Sequence, residues 1–243
     1  MRYRPLISTL LLLVATRTTP IRAELPLDSI ADDGARTALR NIGLQLVFGS
    51  YPAAMQNAEN FSRNIFNLGK KGIERELAYA LALQAVAEAS IGLARDASWH
   101  WESGQILLPE LRYEVMRSYS EIVDVFDTSP FNNRESAIEY LEQKGLWLVE
   151  GQEYSPPVVM DRVSAPMPHK RASVIAGEKI TVSYLVGTDG RVYSPQVESE
   201  GNSSLATFSA LEVLNRWVYQ PATADGEPIF APAKATFTFQ KHK

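Results

Sequence analysis

Two kinds of hydrophobic pattern divide the chain. Residues 24–152 are rich in Ala, Leu and Glu, with apolar residues at helical spacing, whereas residues 153–243 are rich in Val, Thr, Tyr and Phe. Prolines concentrate in residues 153–172, where helical periodicity is absent, and this stretch is typical of a linker or a lead-in to a second domain. We therefore predict a helical domain over 24–152 and an α+β domain over 173–243.

The helical part contains a repeated motif of small residues. The motif begins at Gly49 and returns 43 residues later at Gly92. Trp101, Gly104 and Pro109 follow the second copy, and this order resembles the second helix of a tetratricopeptide repeat. We expect a tetratricopeptide-like arrangement, with another small helical bundle as the alternative. Two further helices, which we expect to cap this stack, are predicted over residues 113–126 and 135–144.

The C-terminal part shows the period of two that is typical of strands in a half-buried sheet. Residues 180–186 alternate apolar and polar side chains, and Asp189-Gly190 then provides a hairpin turn. Pro195 falls within the return strand, so we expect that strand to be bulged or to lie at a sheet edge. The other predicted elements are a helix capped by Ser203-Ser204 and ending near Arg216, a short extended piece over 217–222, a turn at Asp225-Gly226, and a closing strand over 235–240. The order strand, strand, helix, strand predicts one helix on a small antiparallel sheet.

These C-terminal elements resemble the C-terminal domain of the TonB energy-transducer family, over residues 155–243. The resemblance is carried by the hairpin 186–192, the helix 205–214, Arg216-Trp217, Tyr219-Gln220-Pro221-Ala222, Asp225-Gly226-Glu227-Pro228 and the strand 236–239. It implies a domain that binds a short, extended peptide near the N-terminus of an outer-membrane transporter by strand addition to an open sheet edge. By the same resemblance, the edge is the closing strand, with Thr236, Phe237, Thr238 and Phe239, and its backbone binds the partner.

The first residues have the pattern of a targeting segment. Arg2 and Arg4 precede an apolar run over residues 6–15, which is about half of the ~20 residues that a membrane span needs. Ala23 ends a plausible cleavage site, so we predict a signal peptide over residues 1–23 and a location in the periplasm of a Gram-negative bacterium. The alternative is an uncleaved N-terminus, which would make the protein a membrane-anchored energy transducer. Membrane contact is expected in that case alone.

Composition excludes several classes of function. The chain has no Cys, which rules out disulfides and thiolate metal sites, and its three His residues do not have the spacing of metal ligands. The formal net charge is −4, and residues 24–152 hold 11 basic and 19 acidic side chains, so no nucleic-acid partner is expected. We expect no metal and no cofactor. The expected partner is a protein, an outer-membrane TonB-dependent transporter by the resemblance, and a homodimer through the C-terminal domain is a further partner to test.

An envelope enzyme is the least favoured alternative. Its candidate acid–base pairs are Glu74 with Glu76 and Asp124 with Asp127, but charged helix faces are usually solvated. We expect His100, between two Trp residues, to lie on a helix surface. Ser203-Ser204 suits a helix N-cap better than a nucleophile. We therefore assign no catalytic residue and predict that the protein is not an enzyme.

Overall fold

The computed structural model describes residues 25–120, 129–198 and 203–240, together with residues 122, 124 and 126. The predicted signal peptide, residues 1–23, lies outside the described residues. Among the helices in the described ranges, none is both long and apolar enough to cross a membrane.

Four long helices form the N-terminal region, as predicted. They are α1 (Asp33–Val47), α2 (Tyr51–Leu68), α3 (Glu74–Ser90) and α4 (Ala94–Leu107). Short turns join α1 to α2 and α3 to α4, so each pair forms an antiparallel hairpin. A Cβ at Gly104 would lie 3.2 Å from the carbonyl oxygen of Ala78, which shows how closely α4 approaches α3. The helical region is confirmed, whereas its assignment to the tetratricopeptide class stays a prediction.

The continuous helix predicted over residues 113–126 is wrong. The segment begins with a short 3-10 helix, Tyr113–Met116, and continues as a turn. Its side chains lie in separate contacts: Met116 is fully buried, and Phe126 stacks on Trp101 with ring centroids 5.0 Å apart. The hydroxyl of Tyr119 accepts a hydrogen bond from the N–H of Leu25. Tertiary contacts therefore override the weak helical preference of this segment.

The helix predicted over residues 135–144 is confirmed as α5 (Arg134–Gln143), but it does not cap the helical stack. The side chain of Asn133 accepts hydrogen bonds from the first turn of α5 and so fixes its start. Ala137 and Leu141 of α5 pack with Leu185 and Phe230 of the C-terminal region. The apolar stripe of α5 thus covers a sheet, because that is where its buried partners lie.

The C-terminal region has the predicted order of strand, strand, helix, strand. Its elements are β1 (Tyr154–Ser155), β2 (Val158–Asp161), β3 (Lys179–Val186), β4 (Val192–Val197), α6 (Ser204–Leu214), β5 (Val218–Gln220), β6 (Ala222–Ala224), β7 (Glu227–Ile229) and β8 (Ala231–Thr238). The largest sheet has the antiparallel order β4-β3-β8, and α6 packs on it. β1 pairs with β6 and β2 pairs with β5, so the segment predicted as linker or lead-in contributes strands. The domain boundaries themselves stay a prediction.

The backbone conformation of two predicted turns explains the residue types found in them. Asp225 and Gly226 have φ angles of 52° and 85°, the left-handed pair that a type I′ hairpin turn between β6 and β7 requires. Gly190 has a φ of 74°, and a Cβ on it would collide with the backbone of Tyr219. The N–H of Tyr219 donates to the carbonyl of Gly190 at 2.8 Å, which fixes β5 against the β3–β4 hairpin. The β3–β4 register shifts near Pro195 and β4 is an edge strand, so both expectations for this strand are confirmed.

Candidate partner-binding edge

β8 is an edge strand of the three-stranded sheet. Within the described residues, its one strand partner is β3, and the antiparallel register places Thr236 opposite Thr181 and Phe237 opposite Ile180. The other long side of β8 therefore has no strand beside it. This is the edge to which the sequence resemblance assigns partner binding.

Backbone groups of β8 alternate between β3 and the free side. The N–H of Phe239 donates to the carbonyl of Glu178 at 3.0 Å, so Phe239 faces β3. In an antiparallel ladder this orientation alternates with a period of two, so the N–H groups of Thr238, Thr236 and Lys234 point away from β3. Pro232 has the same orientation and no N–H at all. The chain therefore already tolerates a proline on the outward side of this strand.

The two phenylalanines among the predicted binding residues belong to the core. Phe237 and Phe239 are 6% and 2% exposed. The ring of Phe237 lies 5.4 Å from that of Trp217, whose Nε1 donates to the carbonyl of Val163 at 3.0 Å. Trp217 is 7% exposed and is buried against the sheet. The two buried rings therefore help to hold β8 in place.

Polar side chains cover the outer face of the same strand. The hydroxyls of Thr236 and Thr181 are 3.0 Å apart, and Nζ of Lys234 lies 2.6 Å from a carboxylate oxygen of Glu198. The hydrogen bond and the charge of Lys234 lower the pKa of Glu198 below its ordinary value. A lysine on an exposed edge strand is a usual guard against unwanted pairing. Lys234 thus lies on an edge strand and is paired with Glu198.

His100 is buried, so its expected place on a helix surface is wrong. It is 6% exposed because α4 is covered by α3 on one side and by α6 on another. Its Nδ1 lies 2.7 Å from Glu88, and its Nε2 lies 3.9 Å from Glu212 of α6. Burial alone would lower the pKa of His100, but the neighbouring carboxylates, Glu88 above all, raise it above its ordinary value. This cluster joins the helical region to the C-terminal region.

The other candidate acid–base residues make structural contacts. Glu74 accepts a hydrogen bond from the hydroxyl of Ser204 at 2.9 Å, and burial raises the pKa of its neighbour Glu76. Asp124 pairs with Arg117 at 3.0 Å, while Asp127 lies outside the described residues. Ser203 caps α6, as predicted, because its hydroxyl accepts from the first turn of the helix. In the part of the chain that the structure describes, no three acidic or His side chains form a group that could hold a metal.

One notable residue was missed by the sequence reasoning. Glu102 of α4 is 7% exposed and faces a cavity between α4 and β4. Trp99 and Trp101 of the same helix are also buried. Two Trp residues two positions apart lie on different sides of a helix, and this sequence pattern was the available signal that α4 is covered on more than one side.

Comparison with known proteins supports the assignment of the C-terminal region. Residues 175–240 match the family model described as the Gram-negative bacterial TonB protein C-terminal. The match runs from just before β3 to just past β8, and it confirms the resemblance stated from the sequence. No curated protein and no solved structure matches the chain. The helical region lies outside the matched residues.

Proposed function

We propose that this protein is a periplasmic, non-enzymatic TonB-like protein that binds an extended peptide of an outer-membrane transporter by strand addition to β8. The observation that carries the proposal is the free side of β8, where the N–H groups of Lys234, Thr236 and Thr238 point outward. The matched family supports it, because TonB C-terminal domains are protein-interaction domains of transport systems in the Gram-negative periplasm.

Strand addition suits the chemistry of this edge. Each backbone hydrogen bond to the peptide contributes about 0.5–1.5 kcal/mol, so a few bonds supply modest affinity without a specific side-chain pocket. The exposed side chains of Lys234, Thr236 and Thr238 can then select among peptides. Thr238 is the best position for a test by mutation. Its side chain is exposed, and the proposal requires only its outward backbone N–H to bind the peptide.

The test is a titration of the full chain with a peptide from the periplasmic N-terminus of an outer-membrane transporter, followed by amide NMR shifts. We expect shifts along β8 and the facing residues of β3. Thr238→Pro removes one outward donor and should weaken binding by about tenfold, since it also obstructs the approach of the peptide. Thr238→Ser keeps the N–H and is the matched control, with affinity close to that of the wild type.

Some outcomes would contradict strand addition. Shifts confined to the helical region, or to the exposed apolar residues Val158, Val159 and Met160 of β2, would place the binding surface elsewhere. Equal binding by the Pro and Ser variants would show that the backbone of β8 is not used. Self-association that disappears in Thr238→Pro would instead favour a homodimer through this edge.

The membrane-anchored transducer is the alternative that processing can separate. If residues 1–23 are a cleaved signal peptide, the mass of the mature protein from its native host should correspond to a chain beginning at Glu24. An intact form beginning at Met1 in the inner membrane would favour the anchored transducer. An envelope enzyme has the least support, because Glu74 and Asp124 of its candidate pairs lie in structural contacts.

A further inference from the structure

A cavity of about 350 Å³ lies between α4, β4 and the 3-10 helix Pro130–Asn132. It is on the far side of the sheet from β8 and belongs to neither the peptide edge nor the proposed function. Its volume is near the lower end of the range for small-molecule sites, roughly 300–1,000 Å³. Aromatic rings form much of its wall, and Glu102 is the acidic residue among its lining.

The carboxyl group of Glu102 has no partner among the residues that the structure describes. Its side chain is almost wholly buried, and it makes no hydrogen bond or ion pair with any residue that the structure describes. Burial alone raises the pKa of this carboxyl well above its ordinary value. The fully enclosed side-chain atoms without a hydrogen-bond partner in the described residues belong to Ser62, Ser103 and Asn215, so the carboxyl of Glu102 opens on the cavity. An unsatisfied polar group of this kind calls for a binding partner.

The nearby arginine does not serve that purpose. The guanidinium of Arg95 donates to the carbonyl of Val192 at 3.2 and 3.3 Å and to the carbonyl of Asn215 at 3.1 Å, and it pairs with Asp96. Its donors are thus committed to the backbone and to another carboxylate. When Glu102 is ionised, the guanidinium of Arg95 therefore does not pair with its carboxylate.

The aromatic walls of the cavity favour the apolar part of a bound molecule. Trp99 is 2% exposed, and the rings of Phe131 and Tyr193 lie 5.5 Å apart at the other side. The guanidinium of Arg95 already lies over the rings of Trp99 and Tyr193, 5.8 and 5.9 Å from their centroids, so the rings offer an incoming molecule apolar contact. Ser194 has a φ of 48° within the bulge of β4, and its hydroxyl donates to the carbonyl of Phe131 at 3.0 Å. This unfavourable backbone conformation shapes the wall of the cavity, and such strain is concentrated at binding sites.

We propose that this cavity binds a small organic amine, whose ammonium group pairs with the carboxylate of Glu102 and whose apolar body lies against Trp99 and Phe131. An organic anion would bring a second negative charge to a site whose arginine is already engaged. A neutral apolar molecule would leave the carboxyl of Glu102 unpaired. An ammonium group both pairs with the carboxylate and supplies hydrogen-bond donors, which are what this acidic group lacks.

The experiment uses the full chain with three probes of similar shape: benzylamine, benzyl alcohol and benzoate. Binding is measured by calorimetry at neutral pH, and the indole NMR signal of Trp99 reports the location. We expect benzylamine to bind about tenfold more tightly than benzyl alcohol, and benzoate to bind most weakly. Glu102→Gln should reduce this preference to about twofold or less. Glu142→Gln, an exposed acid on α5, is the matched control and should keep it.

A second variant guards against a loss of folding in Glu102→Gln. Ser98 lines the cavity, and Ser98→Leu fills it while leaving the carboxyl in place, so benzylamine binding should be lost with the fold intact. Equal affinity for benzylamine and benzyl alcohol, a preference for benzoate, or no binding of any probe would overturn the proposal. Benzylamine binding that survives both variants would also overturn it.

Discussion

The two edge strands of the same sheet, β4 and β8, differ in whether their outward backbone groups are covered. The N–H of Gly187 donates to the carbonyl of Arg191, so the next carbonyl along β4, that of Val192, points away from β3. Arg95 of α4 donates to that carbonyl and covers the edge. On β8, by contrast, the outward groups of Thr236 and Thr238 have no strand beside them within the described residues.

This difference corresponds to the two modes of recognition that we propose. At β8, one open row of backbone groups is available, and it suits an extended peptide of varied sequence. At β4, the helical region closes the edge and leaves a cavity, where side chains such as Glu102 and Trp99 set the chemistry. A strand that is already covered cannot take a second partner strand, so the comparison also explains why we assign the peptide to β8.

The largest expected effect is the loss of stability when the buried Trp217, which packs against β8, is replaced. Trp217 is buried against Phe237, and its indole N–H is bonded to Val163, so Trp217→Ala should lower the free energy of unfolding by about 3–5 kcal/mol. Urea unfolding followed by circular dichroism measures this. Phe48 is 78% exposed, and Phe48→Ala is the control, with a change of about 0.5 kcal/mol or less. Near-native stability of the Trp217 variant would contradict its assignment to the core.

A smaller effect is expected at the covered edge. Arg95→Ala leaves the carbonyl of Val192 without its side-chain donor and leaves that of Asn215 with only the longer bond from Arg191, at 3.4 Å, which should cost about 1–3 kcal/mol of unfolding free energy. Opening β4 should also cause concentration-dependent self-association, which light scattering measures. Arg63 forms an exposed pair with Glu59, and Arg63→Ala is the control, with a change below about 1 kcal/mol. If the two variants behave alike, Arg95 does not cover the edge.

Local signals were sufficient to predict the elements of the sheet that contains β8, whereas the family resemblance assigned β8 as the binding edge. A period of two over residues 180–186, the turn at Asp225-Gly226 and the capping serine Ser203 each act within a few residues of the chain. These signals predict the hairpins, α6 and the closing strand without any knowledge of long-range contacts. The alternation that points Thr236 and Thr238 outward follows from the same period of two.

The covered edge could not be predicted in this way. It depends on which faces of α4 meet β4 and α6, and these segments are far apart in the chain. Trp99, His100 and Trp101 are all buried, so no single apolar stripe reveals an outward face of α4. For the same reason the pattern of α5 predicted a helix but not the sheet that it covers. Glu102 and His100 resembled ordinary polar helix positions until both sides of α4 were known.

The pH dependence of stability tests the unpaired carboxyl at the covered edge. Burial raises the pKa of Glu102 in the folded protein above its unfolded value of about 4.3. The contribution of Glu102 to the stability of the fold is therefore fully present below pH values of about 4.3, and it is lost as the pH rises through the pKa of the folded state. Glu102→Gln does not titrate, so its stability should fall less over this window than that of the wild type.

The other ionisable groups lining the cavity, Arg95 and Tyr193, are the same in both proteins, so the difference between them isolates Glu102. Urea unfolding at a series of pH values from about 4 upward measures this difference in stability between the wild type and Glu102→Gln. The exposed control Glu142→Gln should follow the wild-type curve. Parallel curves for the wild type and Glu102→Gln would mean that the carboxyl is solvated or paired, and the cavity would lose its main recognition group.

The smallest expected effect is on the folding of the open edge itself. Thr238→Pro removes an N–H that points away from β3, so the β3–β8 ladder stays intact and the unfolding free energy should change by about 1 kcal/mol or less. Phe237→Pro is the contrasting variant, one residue away: it removes an N–H that bonds β3 together with a buried ring, and should cost about 3 kcal/mol or more. Amide exchange of β3 and urea unfolding measure both variants. Pro232 shows that the outward side accepts this residue, so equal damage from the two prolines would mean that the outward groups of β8 are already engaged, and strand addition would have no free edge to use.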